Sequence, residues 1–153
     1  MITFEPLQPD AIRFLSVRTG GDYSNYDYAG SNWVCATSRD DHGTVTGVLT
    51  GEFTTRWEVH MTCAVDDNSI ITRRLLHAIF STFFSSAARV TAMCRPDNKR
   101  SEAGIRRLGF RYEGYSRLQI EGKWDALVFG MLRSECRWIR APREASHEIA
   151  VAA

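Results

Sequence analysis

Asn98-Lys99-Arg100-Ser101-Glu102-Ala103-Gly104-Ile105-Arg106-Arg107-Leu108-Gly109-Phe110-Arg111-Tyr112-Glu113-Gly114 is the stretch whose reading decides the fold. Asn98 is a helix-capping type, and the residues after it carry few breakers. Together they predict a helix over 99–108, with Gly109 placed to end it in the left-handed conformation. The pattern then changes. Residues 110–120 and 124–132 read as two strands. Glu121-Gly122-Lys123 between them predicts a hairpin by spacing.

Working toward the N-terminus, residues 89–94 read as a short strand broken by Arg95-Pro96-Asp97. Residues 70–84 place Ile71, Leu75, Ile79 and Phe83 at near-helical spacing. Asp66, Asp67, Asn68 and Ser69 before them are turn and cap types. Residues 57–65 alternate. Trp57, Val59 and Met61 fall on one face, and Glu58, His60 and Thr62 on the other. Residues 33–37 and 44–53 are strand-like and flank turn chemistry at 39–43, so they predict a second hairpin. Residues 22–30 are polar and tyrosine-rich, which suits a loop. Pro9-Asp10 opens a short amphipathic helix over 11–17, ended by Gly20-Gly21. The order α, β, β, β, α, β, α, β, β gives a mixed α/β (α+β) domain. Strand 57–65 and strand 89–94 are joined through a helix, so they should pair in parallel.

The chain has 153 residues and a formal net charge of +1. That length suits one domain with a sizeable core, assigned to residues 1–140, followed by a tail at 141–153. The tail has no apolar face and should be mobile unless a protein partner or a second copy of the chain holds it. Near-neutral charge argues against nucleic acid, and no apolar run is long enough to span a membrane. The first residues carry no secretory pattern. Cys35, Cys63, Cys94 and Cys136 are far apart, form no zinc-spaced pair and suit a reduced cytoplasm.

Asn98, Ser101 three places later, Leu108-Gly109-Phe110 at the helix end and Glu113-Gly114 beyond it resemble the C-terminal half of the Gcn5-related N-acetyltransferases (GNAT). The likeness is to the branch that acetylates the N-terminal residue of ribosomal proteins. It extends over about residues 33–136 and is specific from about residue 90. It implies a single GNAT-like domain with a mostly antiparallel mixed sheet flanked by helices. It implies acetyl transfer from acetyl-coenzyme A to a primary amine, either a protein N-terminus or a small amine. By the same resemblance, Glu58 or His60 takes the amine proton. Backbone amides near Met61 to Cys63 polarise the thioester. Asn98 contacts the pantetheine, and Ser101 protonates the thiolate. The family's usual tyrosine position is occupied here by Ile105.

One segment departs from the family. After strand 57–65 a glycine-rich loop should cradle the pyrophosphate. Here Asp67 and Ser69 stand in the places of its glycines, and Asp66 adds a second carboxylate. Arg73 and Arg74 are the cations left to bind phosphate. The expectation is that Asp66 and Asp67 cap a helix beginning near Ile70 and compete with the anion. A second reading follows: a catalytically silent domain of this fold, used as a structural or binding subunit. The altered loop and the Glu58-Val59-His60 strand look somewhat like phage-encoded members, for which a virion is the alternative location to the cytoplasm. Each candidate also has a plainer role: Glu58 and His60 as a paired group on a sheet face, Asn98 as a cap, and the arginines as a solvated helix face.

Overall fold

In the computed structural model, which describes residues 1–140, the chain runs β1 (Ile2–Thr3), α1 (Pro9–Thr19), β2 (Trp33–Arg39), β3 (Val45–Thr55), β4 (Glu58–Val65) and α2 (Arg73–Phe83). It continues through β5 (Arg89–Cys94), α3 (Lys99–Leu108), β6 (Arg111–Ile120) and β7 (Trp124–Leu132). The strands form one sheet in the order β1-β2-β3-β4-β5-β7-β6. Only β4 and β5 pair in parallel; every other neighbour is antiparallel. The expected order and the parallel pair are both present, as is a single α+β domain. The expected tail lies outside the described residues. Among those residues, no helix is long and apolar enough to cross a membrane.

Each face of the sheet buries a different helix. The amphipathic pattern of α2 turns Leu75, Leu76, Ile79, Phe80 and Phe83 onto Val59, Met61, Val90, Phe129 and Met131. Fully burying side chains of this size is worth about 1.5–3 kcal/mol each. Gly51 on β3 is part of that fit, since a Cβ there would stand 2.2 Å from the Phe83 ring. On the opposite face α1 sets Ala11 and Leu15 against Cys35, Val48 and Ala64. Gly20 ends α1 at φ +76° and Gly109 ends α3 at φ +103°, both in the left-handed region that glycine enters without a steric cost.

Three details differ from the sequence expectation. The two-residue β1 is added at the sheet edge, where Met1 and Arg39 exchange backbone bonds of 2.8 and 2.9 Å. Trp57 does not join the core with Val59 and Met61. It sits in the turn before β4, 57% exposed, with the Arg56 guanidinium stacked on it at 4.1 Å. The helix expected near Ile70 starts at Arg73 instead, after a separate short turn at Asn68–Ile70.

Candidate active site

β4 and β5 pair over three positions only: Glu58 with Arg89, Val59 with Val90 and His60 with Thr91. One end of this short ladder is closed by the Trp57 carbonyl, which accepts from the amides of Ala88 and Arg89 at 2.8 and 3.1 Å. At the other end the strands part. β4 continues to Val65 against β3 alone, and β5 continues to Cys94 against β7. A wedge opens between them, and residues 61–65 have no strand partner on that side. Backbone donors along such an edge must find water or a ligand. Met61 and Cys63 line this stretch of β4, with Cys63 exposed and unpaired as a thiol.

His60 occupies the apex of the wedge. Alternation turns it, with Glu58, away from the α2 core and onto the face that α1 covers only in part. Registers place Glu52 of β3 beside His60, and Trp33 of β2 beside Glu52. α1 packs over the Val48–Ala64 end of that face and leaves the Glu52–His60 end free of helix. The tyrosine-rich loop borders it. Tyr26 and Tyr28 pack against Trp33 with ring centroids 5.3 and 4.7 Å apart. Burial, with the charge of Glu52 nearby, raises the phenol of Tyr26 above its ordinary value. The hairpin turn reaches the same loop, where Glu121 accepts the Asp22 amide at 2.5 Å.

The Glu58 carboxylate is the centre of a network that spans three strands. Its Oε1 accepts from the Thr91 hydroxyl at 2.6 Å, lies 3.3 Å from His60 Nε2 and 3.4 Å from Arg89 Nε. Arg89 also binds Glu113 of β6 at 2.5 Å. That reach crosses β7 at Gly130, where a Cβ would collide with the Glu113 carboxylate at 2.2 Å and with Arg89 at 2.7 Å. Burial alone would raise the Glu58 pKa. The Thr91 hydroxyl, His60 and Arg89 outweigh it, so the group is held below the ordinary glutamate value.

Asn98 and Ser101 form a second pair, past the far end of β5. Asn98 Oδ1 accepts the Ser101 amide at 3.1 Å, the expected cap of α3. Among the described contacts, none joins this pair to Glu58 and His60. Most of the basic residues around α3 are already engaged. Arg95 binds Asp97 at 2.6 Å and stacks on Trp124 at 3.8 Å. Lys99 and Arg106 both hold Glu102, at 3.1 and 3.2 Å, and Arg111 holds Glu135 at 3.1 Å.

The junction from β4 to α2 corrects the sequence expectation. Asp67 caps only the turn at Asn68–Ile70, accepting the Ser69 amide at 2.9 Å. Asp66 caps nothing and pairs with Arg18 of α1 at 2.6 Å. The cap of α2 is Thr72, whose hydroxyl accepts the Leu75 amide at 3.1 Å. Arg73 and Arg74 are the first two helical residues, both exposed. Their amides have no acceptor among the described residues, and such first-turn donors with the helix dipole suit an anion.

The sequence puts Glu58 and His60 on one strand face, and the structure has them 3.3 Å apart; the sequence itself offers no local sign of Thr91, Arg89 and Glu113, which join them. Only Gly130, inside the otherwise apolar run 126–132, marked that crossing, as glycine does where groups approach a backbone closely.

No family model and no curated protein matches the sequence. Solved structures do match. A probable acetyltransferase is 22% identical, with a TM-score of 0.64 over 88% of this chain and 94% of its own. The ribosomal-protein-S5-alanine acetyltransferase of Vibrio fischeri is 16% identical, with a TM-score of 0.61 over 92% and 96%. The spermidine N-acetyltransferase of Vibrio cholerae, solved with CoA and spermine, is 12% identical, with a TM-score of 0.62 over 91% and 98%. With its one parallel pair, its wedge and these likenesses, the chain has the fold of the GNAT acetyltransferases.

Proposed function

We propose that this protein is an N-acetyltransferase that moves an acetyl group from acetyl-coenzyme A to a primary amine. The observation that carries the reading is the apex of the wedge, where the parallel ladder ends at His60 and Thr91 with the Glu58 carboxylate beside it. Deprotonating an ammonium group needs a base within reach of the nitrogen, and both candidates sit there. Spermine, bound in one of the similar structures, and the alanine of a ribosomal protein, for which another is named, are both amines.

The residues present fit the donor molecule. The unpaired edge of β4 at Met61 and Cys63 would meet the pantetheine and the thioester carbonyl. The free amides and cationic side chains of Arg73 and Arg74 would take a phosphate. Arg18 neutralises Asp66, which removes one of the two charges that would repel the pyrophosphate. Asn98 and Ser101 would hold the thiol end, with the Ser101 hydroxyl as proton donor to sulfur. Acetyl-coenzyme A supplies an activated acyl group; the protein supplies position, a base and amide donors.

One observation favours the alternative of a silent structural subunit. Asp67 keeps its full charge beside the α2 junction, where the family has glycine. Titration calorimetry decides between the two. Micromolar binding of acetyl-coenzyme A, about −8 kcal/mol, with acetylation of an amine on mass spectrometry, is expected. Absence of heat at millimolar donor would leave the silent subunit as the reading.

A further inference from the structure

We propose that the acceptor is an aliphatic diamine or polyamine, and that Glu52, beside the aromatic wall of Tyr26 and Trp33, selects it by binding its second ammonium group. The inference rests on the acetyl-transfer reading above and names the kind of amine that reading serves.

The fold sets three side chains in a row. Trp33 of β2 partners Glu52 of β3, and Glu52 partners His60 of β4. Directly opposed residues on neighbouring strands put their side chains on one face. Neighbouring strands lie about 4.8 Å apart, so Glu52 stands about 5 Å and Trp33 about 10 Å along the sheet from the apex of the wedge. α1 leaves this end of the face uncovered. An amine that reacts at the apex therefore meets Glu52 with a second group placed one or two strand spacings from its nitrogen.

The surroundings there suit a cation. Glu52 is half-buried, and no lysine or arginine pairs with it, with Asp22 or with Glu121 among the described residues. By contrast, Glu58, Asp66, Glu102 and Glu113 each hold an arginine. A partly buried carboxylate without a cation carries a desolvation cost that a cationic ligand relieves. Burial first, and then the charges of Glu52, Glu121 and Asp22, raise the Tyr26 phenol, so the three carboxylates converge on one ring. That ring is 46% exposed and stands 5.3 Å from Trp33. Aromatic faces attract ammonium groups, more strongly once water is excluded. The wall is also pre-formed. The Tyr28 hydroxyl donates to the Tyr23 carbonyl at 2.8 Å, and Glu121 of the hairpin turn accepts the Asp22 amide at 2.5 Å. An alkylammonium chain satisfies carboxylates and rings together. A polypeptide acceptor fits them poorly, because its carbonyl groups would face acceptors and ring surfaces rather than donors.

The test offers diaminobutane, butylamine and a peptide with an N-terminal alanine to the whole protein at saturating acetyl-coenzyme A. It compares the natural protein with Glu52→Gln and Tyr26→Leu. In the natural protein kcat/KM for diaminobutane should exceed that for butylamine by about 10-fold or more, as for a contact between charged groups. Glu52→Gln should lose most of that preference, chiefly through a higher KM for the diamine, with a smaller change in kcat. Tyr26→Leu should lose part of it in the same way. Ring signals of Tyr26 and Trp33 in nuclear magnetic resonance supply a readout independent of turnover. They should shift with diaminobutane more than with butylamine, and the difference should vanish in Glu52→Gln. Equal kcat/KM for the two amines, faster acetylation of the peptide, or a Glu52→Gln variant that slows every acceptor alike would overturn the inference and leave acetyl transfer intact. Ring shifts specific to the diamine in a protein that transfers no acetyl group would support the amine site and overturn the function.

Discussion

The two faces of β4 come from one alternating octapeptide, yet they are held by different physics. On one face Val59 is fully buried and Met61 is 7% exposed, against the aromatic side of α2. That face is fixed by volume, since close-packed interiors feel the gain or loss of single carbon atoms. On the other face Glu58 and His60 keep 29% and 37% of their side-chain surface. That face is fixed by partners, which come from β5 and, through Arg89, from β6. The lesson is that the core face has few free choices, whereas the polar face keeps titratable groups accessible without carrying much stability.

The largest effects should therefore lie on the core face. Phe80→Ala empties a fully buried site and should cost about 3–5 kcal/mol. Gly51→Ala adds only a methyl, but its Cβ would stand 2.2 Å from Phe83 and 2.9 Å from Val59. An overpacked core of this kind loses about 1–3 kcal/mol. Urea midpoints read both. If Gly51→Ala left the midpoint unchanged, α2 would not be seated on β3 as described, and the contrast between the faces would lose its main support.

The sequence made the regular parts legible for local reasons. Asn98 and Gly109 frame α3, and capping is a matter of neighbouring residues. The parallel pair followed from a strand–helix–strand connection. The start of α2 was misread because the chain offers two caps five residues apart, Asp67 and Thr72. Both precede plausible first turns. Packing of Ile71 against the core accompanies the choice of Thr72, and such tertiary contact has no local signature. The Glu58–Arg89–Glu113 network was invisible for the same reason. Its members lie on three strands, and only the registers bring them together.

The misread junction gives a middle-sized prediction. Thr72→Ala removes the α2 cap and should lower stability by about 1 kcal/mol. Asp67→Ala frees one amide of a single exposed turn and should cost clearly less. The ranking is the check: it would reverse if the helix began near Ile70 with Asp67 as its cap. The same pair sharpens the comparison, because Thr72 anchors the helix that seals the core face and Asp67 does not.

The smallest effect belongs to the polar face and depends on pH. Glu58 is held below its ordinary value in the folded protein by Thr91, His60 and Arg89, against the opposing effect of burial. A carboxyl group whose folded value is depressed stabilises the fold above its unfolded value, about 4.3. That contribution is lost as pH falls through the folded value. Glu58→Gln should therefore be less stable than the natural protein near pH 7. The gap should be under about 1 kcal/mol, as for partly exposed ion pairs, because Arg89 keeps Glu113 as a partner. It should narrow below pH ~4.3 and close at still lower pH. Asp10, which is also held low by its pairing with Arg39, contributes acid sensitivity to both proteins, so it cancels in the difference. Urea titrations of the two proteins at a series of pH values supply the measurement. A gap that widened toward acid would mean that Glu58 is destabilised as a carboxylate by burial, and the polar face would then be strained rather than satisfied.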